Sequence, residues 1–329
     1  MSYVLGLDVG GTKISISLGI REGEEIKIIG KIKEPTPAGY ENALSMMEEA
    51  CLELIARNDA GVALELSDVS GVGISCGGPL DSRRGIVLSP ANLPGWDGVR
   101  ITEYYESKFG VPAALQNDAN ACAVAEWKYG AGRGAENMIF LTFGTGLGAG
   151  LILNGALYAG TNDMAGEAGR WSMPQITDRA YGPVGYGKAG SIEGFCSGGG
   201  IAQLGRTVAL ERIQVGESTG YCAGPKELDG ITAQSIALAA EAGDEAAKYV
   251  YEICGRYMGC FLGMLIDVLN PQVIVLGSIY VRSARLIDKA MYEALDRESH
   301  PRGRGVCRIL PAMLGEELGD IAALSIAPV

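Results

Sequence analysis

Residues 3–20 read YVLGLDVGGTKISISLGI, an apolar run followed by a glycine turn and then by alternating apolar and small or polar residues. This alternation predicts two strands joined by a turn at Gly10 and Gly11. Glycines allow close backbone approach, so the N–H groups of the turn can face phosphate oxygens, with Asp8 holding a magnesium ion through water. The alternative is a hairpin turn with an incidental carboxylate. The spacing matches neither a Walker A motif nor a dinucleotide-binding fingerprint.

A second unit of the same kind spans residues 138–153. Strands are predicted at Met138–Phe143 and Ala149–Leu153, with a glycine turn at 144–148 between them. Two such units in one chain predict two related lobes that face one cleft, with one turn on each side of the phosphates. The second turn is a weak signal by itself, because a glycine-rich hairpin forms without a ligand.

Apolar periodicity predicts further elements around these units. Helices are expected at 41–57, 232–242 and 245–269. The buried-type strand Val69–Ile74 leads into a glycine turn at its carboxyl end, where open α/β sheets bind ligands. The glycine-dense stretch 182–200 is predicted to be an irregular functional loop.

Asp118 is the candidate catalytic base. It lies between a predicted strand, Pro112–Leu115, and a predicted helix, Ala119–Tyr129. Phosphoryl transfer to an alcohol needs a base near the hydroxyl, together with phosphate-binding groups and a metal ion. The same position also suits a helix N-cap, and the local sequence leaves both roles open.

The composition of the 329-residue chain is that of a folded protein, with 47% hydrophobic and 20% charged residues. The net charge of −12 opposes nucleic-acid binding, which needs a positive surface. The eight cysteines include no C-x-x-C pair, which predicts reduced thiols and a cytoplasmic location. The one histidine, His300, is expected on the surface. The longest apolar stretch is too short to cross a membrane.

Several motifs in order resemble the ROK family of sugar kinases and sugar-responsive repressors. These motifs span nearly the whole chain and are specific as an ordered set: Asp8–Lys13, Gly71–Pro79, Asn92–Trp96, Asn117–Asn120, Gly144–Gly150, Gly166–Gly169 and Gly319–Asp320. The resemblance implies that Asp118 takes the proton of a sugar hydroxyl as that hydroxyl attacks the γ-phosphate of ATP. The positions that match sugar-binding residues are Gly78, Asn92, Asn117, Glu167 and Glu193. Those that match the phosphate turns are Asp8, Gly10, Gly11, Thr12, Lys13, Gly144, Thr145 and Gly146, and adenosine contacts are implied for Gly277 and Ser278.

One departure from the family pattern concerns its structural zinc. Most members bind zinc through a histidine and three cysteines, whereas this chain has Arg170 at the histidine position and Val184, Tyr186 and Ser191 at the cysteines. Arginine cannot ligate zinc, so no zinc is predicted here. Arg170 is expected to pair with Glu193 or Glu167, or to face a carbonyl or anionic group of the substrate. A local surface pair of Glu167 with Arg170 is the alternative.

The predicted fold is therefore α/β, a two-lobed actin-like ATPase (ribonuclease H-like) fold with an interdomain cleft. Residues 1–118 form the expected small lobe, on which 311–329 pack back, and 119–310 form the large lobe. We expect a hexose or N-acetylhexosamine kinase that uses ATP and Mg²⁺, with no nucleic-acid or membrane partner. The apolar helix at 245–269 can support a homodimer, although core packing also explains it.

Two other functions compete with a kinase. Repressors of this family carry an N-terminal helix-turn-helix, and the position of Asp8 so near Met1 disfavours one. A catalytically silent sugar-binding or sensing protein, or an actin-like ATPase that phosphorylates nothing else, is disfavoured by the carboxylate of Asp118. The sugar and the hydroxyl that is phosphorylated are not identified by the sequence.

Overall fold

The hairpin predicted within residues 3–20 is confirmed. Strands Ser2–Val9 and Lys13–Glu22 pair antiparallel, with Leu5 opposite Leu18, and the tight turn lies at residues 10–12. Most apolar side chains of both strands are buried in the core of the first sheet, and Tyr3 and Ile20 are partly buried against it. The alternating pattern therefore reflects a sheet that is covered by packed apolar residues.

The structure is a computed structural model, and it describes residues 1–57, 61, 63–176 and 181–329. The strands in chain order are β1 (Ser2–Val9), β2 (Lys13–Glu22), β3 (Glu25–Pro35), β4 (Val69–Cys76), β5 (Leu80–Asp81), β6 (Ile86–Leu88), β7 (Asp97–Arg100), β8 (Ala113–Asn117), β9 (Met138–Leu141), β10 (Ala149–Leu153), β11 (Ala156–Leu157), β12 (Val184–Gly185), β13 (Lys188–Ala189), β14 (Val273–Leu276) and β15 (Arg308–Pro311). The α-helices are α1 (Tyr40–Ala56), α2 (Ile101–Phe109), α3 (Asp118–Tyr129), α4 (Ile192–Phe195), α5 (Gly198–Gln214), α6 (Ala233–Glu241), α7 (Glu245–Leu269), α8 (Ile279–Glu298), α9 (Pro301–Arg304) and α10 (Leu318–Ile326).

Two five-stranded sheets share one strand pattern. The first has the order β3-β2-β1-β4-β8, with β1, β4 and β8 parallel and β2 and β3 antiparallel. The second has the order β11-β10-β9-β14-β15, in which β14 and β15 are parallel. In both sheets three consecutive strands precede two that arrive through longer connections. This repetition agrees with the two related units predicted from the glycine turns.

The chain divides by contacts into two compact units. One comprises residues 1–140, 150–165 and 313–329, and the other comprises 141–149 and 166–312. The sequence placed a lobe boundary after residue 118, whereas contacts assign α3 to the first unit because it packs on α10. The functional lobe boundary stays a prediction.

Helix α10 packs on a bare patch of backbone in the first sheet. Gly6 on β1 pairs in register with Gly73 on β4, and both face α10. A Cβ atom added to Gly73 would lie 1.9 Å from the carbonyl oxygen of Ala323, and one added to Gly71 would lie 2.2 Å from that of Pro328. Glycine is required at these positions because the C-terminal backbone occupies the space of a side chain.

Helix α7 is the core helix of the second unit. It spans the predicted residues almost unchanged, is capped by Asp244, and ends at Asn270 in the left-handed conformation. Its apolar face packs on α5, α6 and α8. Core packing therefore accounts for the width of this face, and a homodimer stays a prediction. Helices α5 and α8 were not predicted from the sequence.

The glycine-dense segment 182–200 is more regular than predicted. β12 and β13 form a short hairpin, and α4 and the start of α5 follow. Ser191 caps α4 and Ser197 caps α5 through their side-chain oxygens. His300 is exposed and caps α9, which agrees with its predicted surface position. Among the described residues, no helix is both long and apolar enough to span a membrane.

Replacing Gly73 by alanine tests the packing of α10. We expect Gly73→Ala to lower the free energy of unfolding by about 3 kcal/mol or more, because the methyl group meets backbone that cannot move aside. Gly230→Ala is the control, since a Cβ there meets no atom within 4 Å. Chemical denaturation measures both variants, and equal stability of Gly73→Ala and the wild type would contradict the described packing.

Candidate active site

The turn after β1 is shaped for close contact. Its Gly10 N–H donates to Lys13 O at 3.1 Å, and the hydroxyl of Thr36 donates to Gly10 O at 2.6 Å. A Cβ on Gly11 would lie 2.2 Å from Asn92 O, so only glycine fits between the turn and the Asn92 backbone. In the described part of the chain, the N–H groups of Gly11 and Thr12 have no acceptor. They can bind an anion.

Asp8 and Asp118 stand at one edge of the first sheet. Asp8 is near the end of β1 and Asp118 directly follows β8, and both strands run parallel to β4 between them. Burial raises the pKa of Asp8 to about 6, and the negative charges of Asp118 and Asp320 add to this effect. Lys13 offsets part of it. A cation bound beside Asp8 would therefore stabilise its ionised carboxylate.

Asn117, rather than Asp118, caps helix α3. The Asn117 side-chain oxygen accepts from the N–H groups of Ala119 at 3.0 Å and Asn120 at 3.4 Å. Asp118 occupies the first helical position, and its carboxylate accepts the adjacent Ala119 N–H at 2.8 Å. Asp118 as a residue is exposed, yet desolvation by the surrounding protein raises the pKa of its carboxyl, and hydrogen bonds from neighbouring groups offset part of this rise. Asp118 is therefore available for chemistry.

Asp8 lies beside negative charges, whereas the carboxylate of Asp320 on α10 has hydrogen-bond donors and a positive charge around it. Asp320 accepts from the hydroxyls of Ser15 at 2.5 Å and Ser17 at 3.0 Å, and it forms an ion pair with Lys31. Its neighbour Gly319 abuts Asp8, since a Cβ there would lie 2.5 Å from an Asp8 carboxylate oxygen. The anchored Asp320 therefore fixes the backbone that flanks Asp8.

Three predicted sugar-binding residues lie together in the first unit. A Cβ on Gly78 would be 3.4 Å from the side-chain nitrogen of Asn117, and one on Gly77 would be 3.4 Å from the side-chain oxygen of Asn92. Both side-chain amides therefore lie beside the bare backbone of residues 77 and 78. A small hydrogen-bonding surface results beside Asp118.

The second glycine turn is braced by Glu193. The Gly144 N–H donates to Gly146 O at 3.0 Å, and the Leu147 N–H donates to the Glu193 carboxylate at 3.0 Å. A Cβ on Gly146 would lie 2.9 Å from the same carboxylate oxygen. The sequence predicted a sugar contact and a pairing with Arg170 for Glu193, and this backbone contact is an additional role.

A cavity of about 580 Å³ opens beside this turn in the second unit. The cavity is lined by Gly144, Thr145, Ser278 and the first residues of α5. Gly277 is not among the lining residues, and its N–H donates to Leu141 O. The N-terminus of α5 carries partial positive charge, which suits an anionic ligand. Among the lining residues that the sequence did not single out are Gly198, Gly199, Thr232, Gln234 and Arg282. The glycine run that begins α5 was the sequence feature that could have indicated these residues.

Glu167, Arg170 and Glu193 converge on Tyr186 in the second unit. The Tyr186 hydroxyl donates to Glu167, and the Tyr186 N–H donates to Glu193 at 2.6 Å. The Arg170 guanidinium lies 5.0 Å from the centre of the Tyr186 ring. Ion pairs of Arg170 with Glu167 or Glu193, which the sequence suggested, are not among those of the described residues. Arg170 contacts aromatic carbon instead.

The zinc positions of the family do not supply zinc ligands in this chain. Val184 lies in β12, and the Ser191 hydroxyl donates to Gly185 O at 2.9 Å and accepts the Gly194 N–H. Tyr186 and Arg170 are engaged with each other. Within the described ranges there is also no group of three or more His, Cys, Asp or Glu residues that could hold a metal ion.

Comparisons with known proteins settle the family. A model described as ROK family matches residues 4–328. The chain belongs to the ROK family. This ROK protein is similar to a glucokinase of Halalkalibacterium halodurans, with 29% identity over 320 residues that cover 97% of this chain and 93% of the glucokinase. The resemblance predicted from the motifs is therefore confirmed.

Solved structures place this ROK protein in the predicted fold class. A ROK hexokinase from Thermus thermophilus is 29% identical with a TM-score of 0.77, covering 98% of this chain and 97% of its own. A ROK glucokinase from Streptomyces griseus, solved with glucose and AMPPNP, is 27% identical with a TM-score of 0.74 and 99% coverage of both chains. The actin-like α/β fold is confirmed. A xylose repressor of Caldicellulosiruptor bescii is also similar, with 25% identity over 90% of this chain and 70% of the repressor.

Because Asp8 lies beside negative charges and Asp320 is paired with Lys31, replacing each by asparagine should change the free energy of unfolding in opposite directions. Native Asp8 keeps a proton that the unfolded chain releases, so wild-type stability falls as pH rises from about 4 to 6. Asp8→Asn removes this loss and should stabilise the protein by roughly 1–3 kcal/mol at pH 7.5, but not at pH 4. Asp320→Asn should destabilise it by about 3 kcal/mol, because Lys31 loses its buried partner.

Denaturation of both variants at pH 4, 5, 6 and 7.5 measures these effects. Destabilisation by Asp8→Asn at pH 7.5, or a gain that does not grow with pH, would contradict the described charge cluster.

Proposed function

We propose that this chain is a kinase that transfers the γ-phosphate of ATP to a sugar hydroxyl. The observation that carries this proposal is the state of Asp118: its neighbour Asn117 takes over the capping of α3, and desolvation raises the pKa of the Asp118 carboxyl. A carboxylate with a raised pKa is a stronger base towards an alcohol. The full-length similarity to a glucokinase solved with glucose and AMPPNP supports the same reaction class.

In this proposal Asp118 is the catalytic base. Its carboxylate accepts the hydroxyl proton while the sugar oxygen forms a bond to the γ-phosphorus and the bond from that phosphorus to the bridging oxygen of ADP breaks. The proton then leaves Asp118 to water, which restores the carboxylate. Positioning and charge stabilisation contribute most of the rate, so the groups that hold the reactants matter as much as the base.

We assign magnesium binding to Asp8, through water. The residues fit such an ion because Asp8 carries a repulsion from Asp118 and Asp320 that a cation offsets. Mg²⁺ usually keeps several waters and binds one or two carboxylates together with substrate phosphates. When bound, it neutralises charge on the phosphate oxygens.

We assign nucleotide binding to the two glycine turns and the cavity beside the second. The phosphates are assigned to the turns formed by Gly10, Gly11, Thr12, Gly144, Thr145 and Gly146, with Lys13 adding a positive charge. The N–H groups of Gly10 and Gly144 shape the turns through their own hydrogen bonds, and those of the other four residues face the phosphates. The cavity of about 580 Å³ suits the adenosine, with Ser278 at its wall and Gly277 behind it. An apolar lining with a few polar groups is usual for such ligands.

Sugar binding is assigned to residues with hydrogen-bonding side chains or bare backbone, which are Gly78, Asn92, Asn117, Glu167, Arg170 and Glu193. Carboxylates and amides suit sugar hydroxyls because they accept or donate in pairs. The substrate class is a hexose or an N-acetylhexosamine. A cytoplasmic location, and the absence of nucleic-acid and membrane partners, stay predictions from charge and cysteine content.

A coupled ADP-release assay tests the reaction. Glucose, mannose, fructose, allose, their N-acetylated amines and β-glucosides are offered separately with ATP and Mg²⁺. We expect sugar-dependent ADP release with one sugar or a small set, and little release without sugar, because ordering by the substrate limits wasteful hydrolysis. Binding of a sugar without ADP release would instead favour a catalytically silent sensing protein.

Asp118→Asn tests the base assignment. We expect kcat to fall by about 10²–10⁴-fold while the equilibrium affinities for sugar and AMPPNP stay within threefold, since only proton transfer is lost. Glu103→Gln is the matched control, an exposed acid in the first turn of α2. Retained turnover in Asp118→Asn would remove the base assignment.

A further inference from the structure

Tyr186 has a backbone conformation that tyrosine rarely adopts. It forms the turn between β12 and β13 with Gly187, and both residues have positive φ angles, of 56° and 67°. Such turns favour glycine, asparagine or aspartate, because a Cβ crowds the backbone there. A tyrosine holds this conformation only where contacts with surrounding residues stabilise it.

Among the described residues, the hydrogen-bond and cation–π partners of Tyr186 are residues assigned to the sugar. Its hydroxyl donates to one Glu167 carboxylate oxygen, its N–H donates to Glu193 at 2.6 Å, and its ring faces the Arg170 guanidinium at 5.0 Å. Burial and the bond to Glu167 raise the pKa of the Tyr186 phenol, so it remains a donor at physiological pH. The hydroxyl, the backbone N–H and the aromatic ring of Tyr186 therefore each make a separate contact.

The hairpin that carries Tyr186 is itself held in place. The Ser191 hydroxyl joins Gly185 O at the end of β12 to the Gly194 N–H in α4, the helix that carries Glu193. Lys188 on β13 donates to Arg170 O at 2.9 Å. The tyrosine therefore projects from a braced hairpin, although its side chain is 44% exposed. An exposed side chain with this many specific contacts is better explained by positioning than by core packing.

We propose that Tyr186 is a positioning residue that fixes the Glu167 carboxylate and the Arg170 guanidinium for sugar binding. This inference rests on the proposed function. Donation to one carboxylate oxygen of Glu167 fixes its rotamer and leaves the other oxygen to accept from a sugar hydroxyl. The ring limits the motion of Arg170, a side chain with high rotamer entropy. Sugar affinity then depends on a phenol that itself performs no chemistry.

Tyr186→Phe removes only the hydroxyl and retains the ring and the N–H. We expect the KM for the sugar substrate to rise about tenfold, while kcat and the KM for ATP stay within twofold. The melting temperature should stay within 1–2 °C, because the residue is partly exposed and the substitution removes no core packing. Tyr158→Phe is the control, another exposed tyrosine, with 51% exposure. It should leave all of these values unchanged.

A double-mutant cycle with Glu167→Ala separates positioning from general destabilisation. Values of kcat/KM at low sugar are measured for the wild type, both single variants and the double variant. We expect Tyr186→Phe to cost about tenfold alone and less than twofold when Glu167 is already alanine. Three results would each overturn the inference. The first is an equal loss of kcat/KM in both backgrounds, and the second is a wild-type KM for the sugar in Tyr186→Phe. The third is a change in kcat and in the KM for ATP as large as the change in the KM for the sugar.

The two proposals fail in different ways. If the wild type phosphorylates no sugar, the proposed function fails and this inference fails with it. If the wild type phosphorylates a sugar and Tyr186→Phe behaves as the wild type, only the role of Tyr186 is lost.

Discussion

The first unit depends on the close approach of α10 to the bare backbone of β1 and β4. The carbonyl oxygen of Ala323 fills the space that a side chain on Gly73 would take, and Asp320 is bound by Ser15, Ser17 and Lys31. These contacts join residues from 250 to 305 positions apart in the chain. They also place Gly319 directly against the Asp8 carboxylate, so the fold and the candidate active site share one constraint.

The carboxylates of Asp320 and Asp8 have different electrostatic surroundings. Asp320 has two hydroxyl donors and a lysine, so its carboxylate contributes to stability. Asp8 lies beside two other carboxylates, and burial with like charge raises its pKa to about 6. Such uncompensated charge costs stability and is common at functional sites, where a ligand or metal ion supplies the missing partner. The same logic singles out Asp118, which its neighbour Asn117 frees from capping the helix.

Much of the fold follows from the sequence, because the β1–β2 hairpin and α7 carry strong apolar periods and local caps. The family motifs also located Asp8, Asp118 and both glycine turns. What the sequence could not supply depends on contacts between distant residues: the choice of Asn117 as the cap, the role of Glu193 in bracing Leu147, and the convergence on Tyr186. Segment 182–200 was misjudged because its glycines serve a hairpin turn and two helix starts, which glycine content alone does not distinguish from a loop.

The central claim is that Asp118 receives the proton of the sugar hydroxyl that attacks ATP. A crystal structure of the protein with AMPPNP, Mg²⁺ and its sugar substrate tests this claim most directly. The account predicts an Asp118 carboxylate oxygen within about 3.2 Å of the one sugar hydroxyl that faces the γ-phosphate. An Asp118 carboxylate turned away from the bound sugar, with another side chain at that hydroxyl, would contradict it.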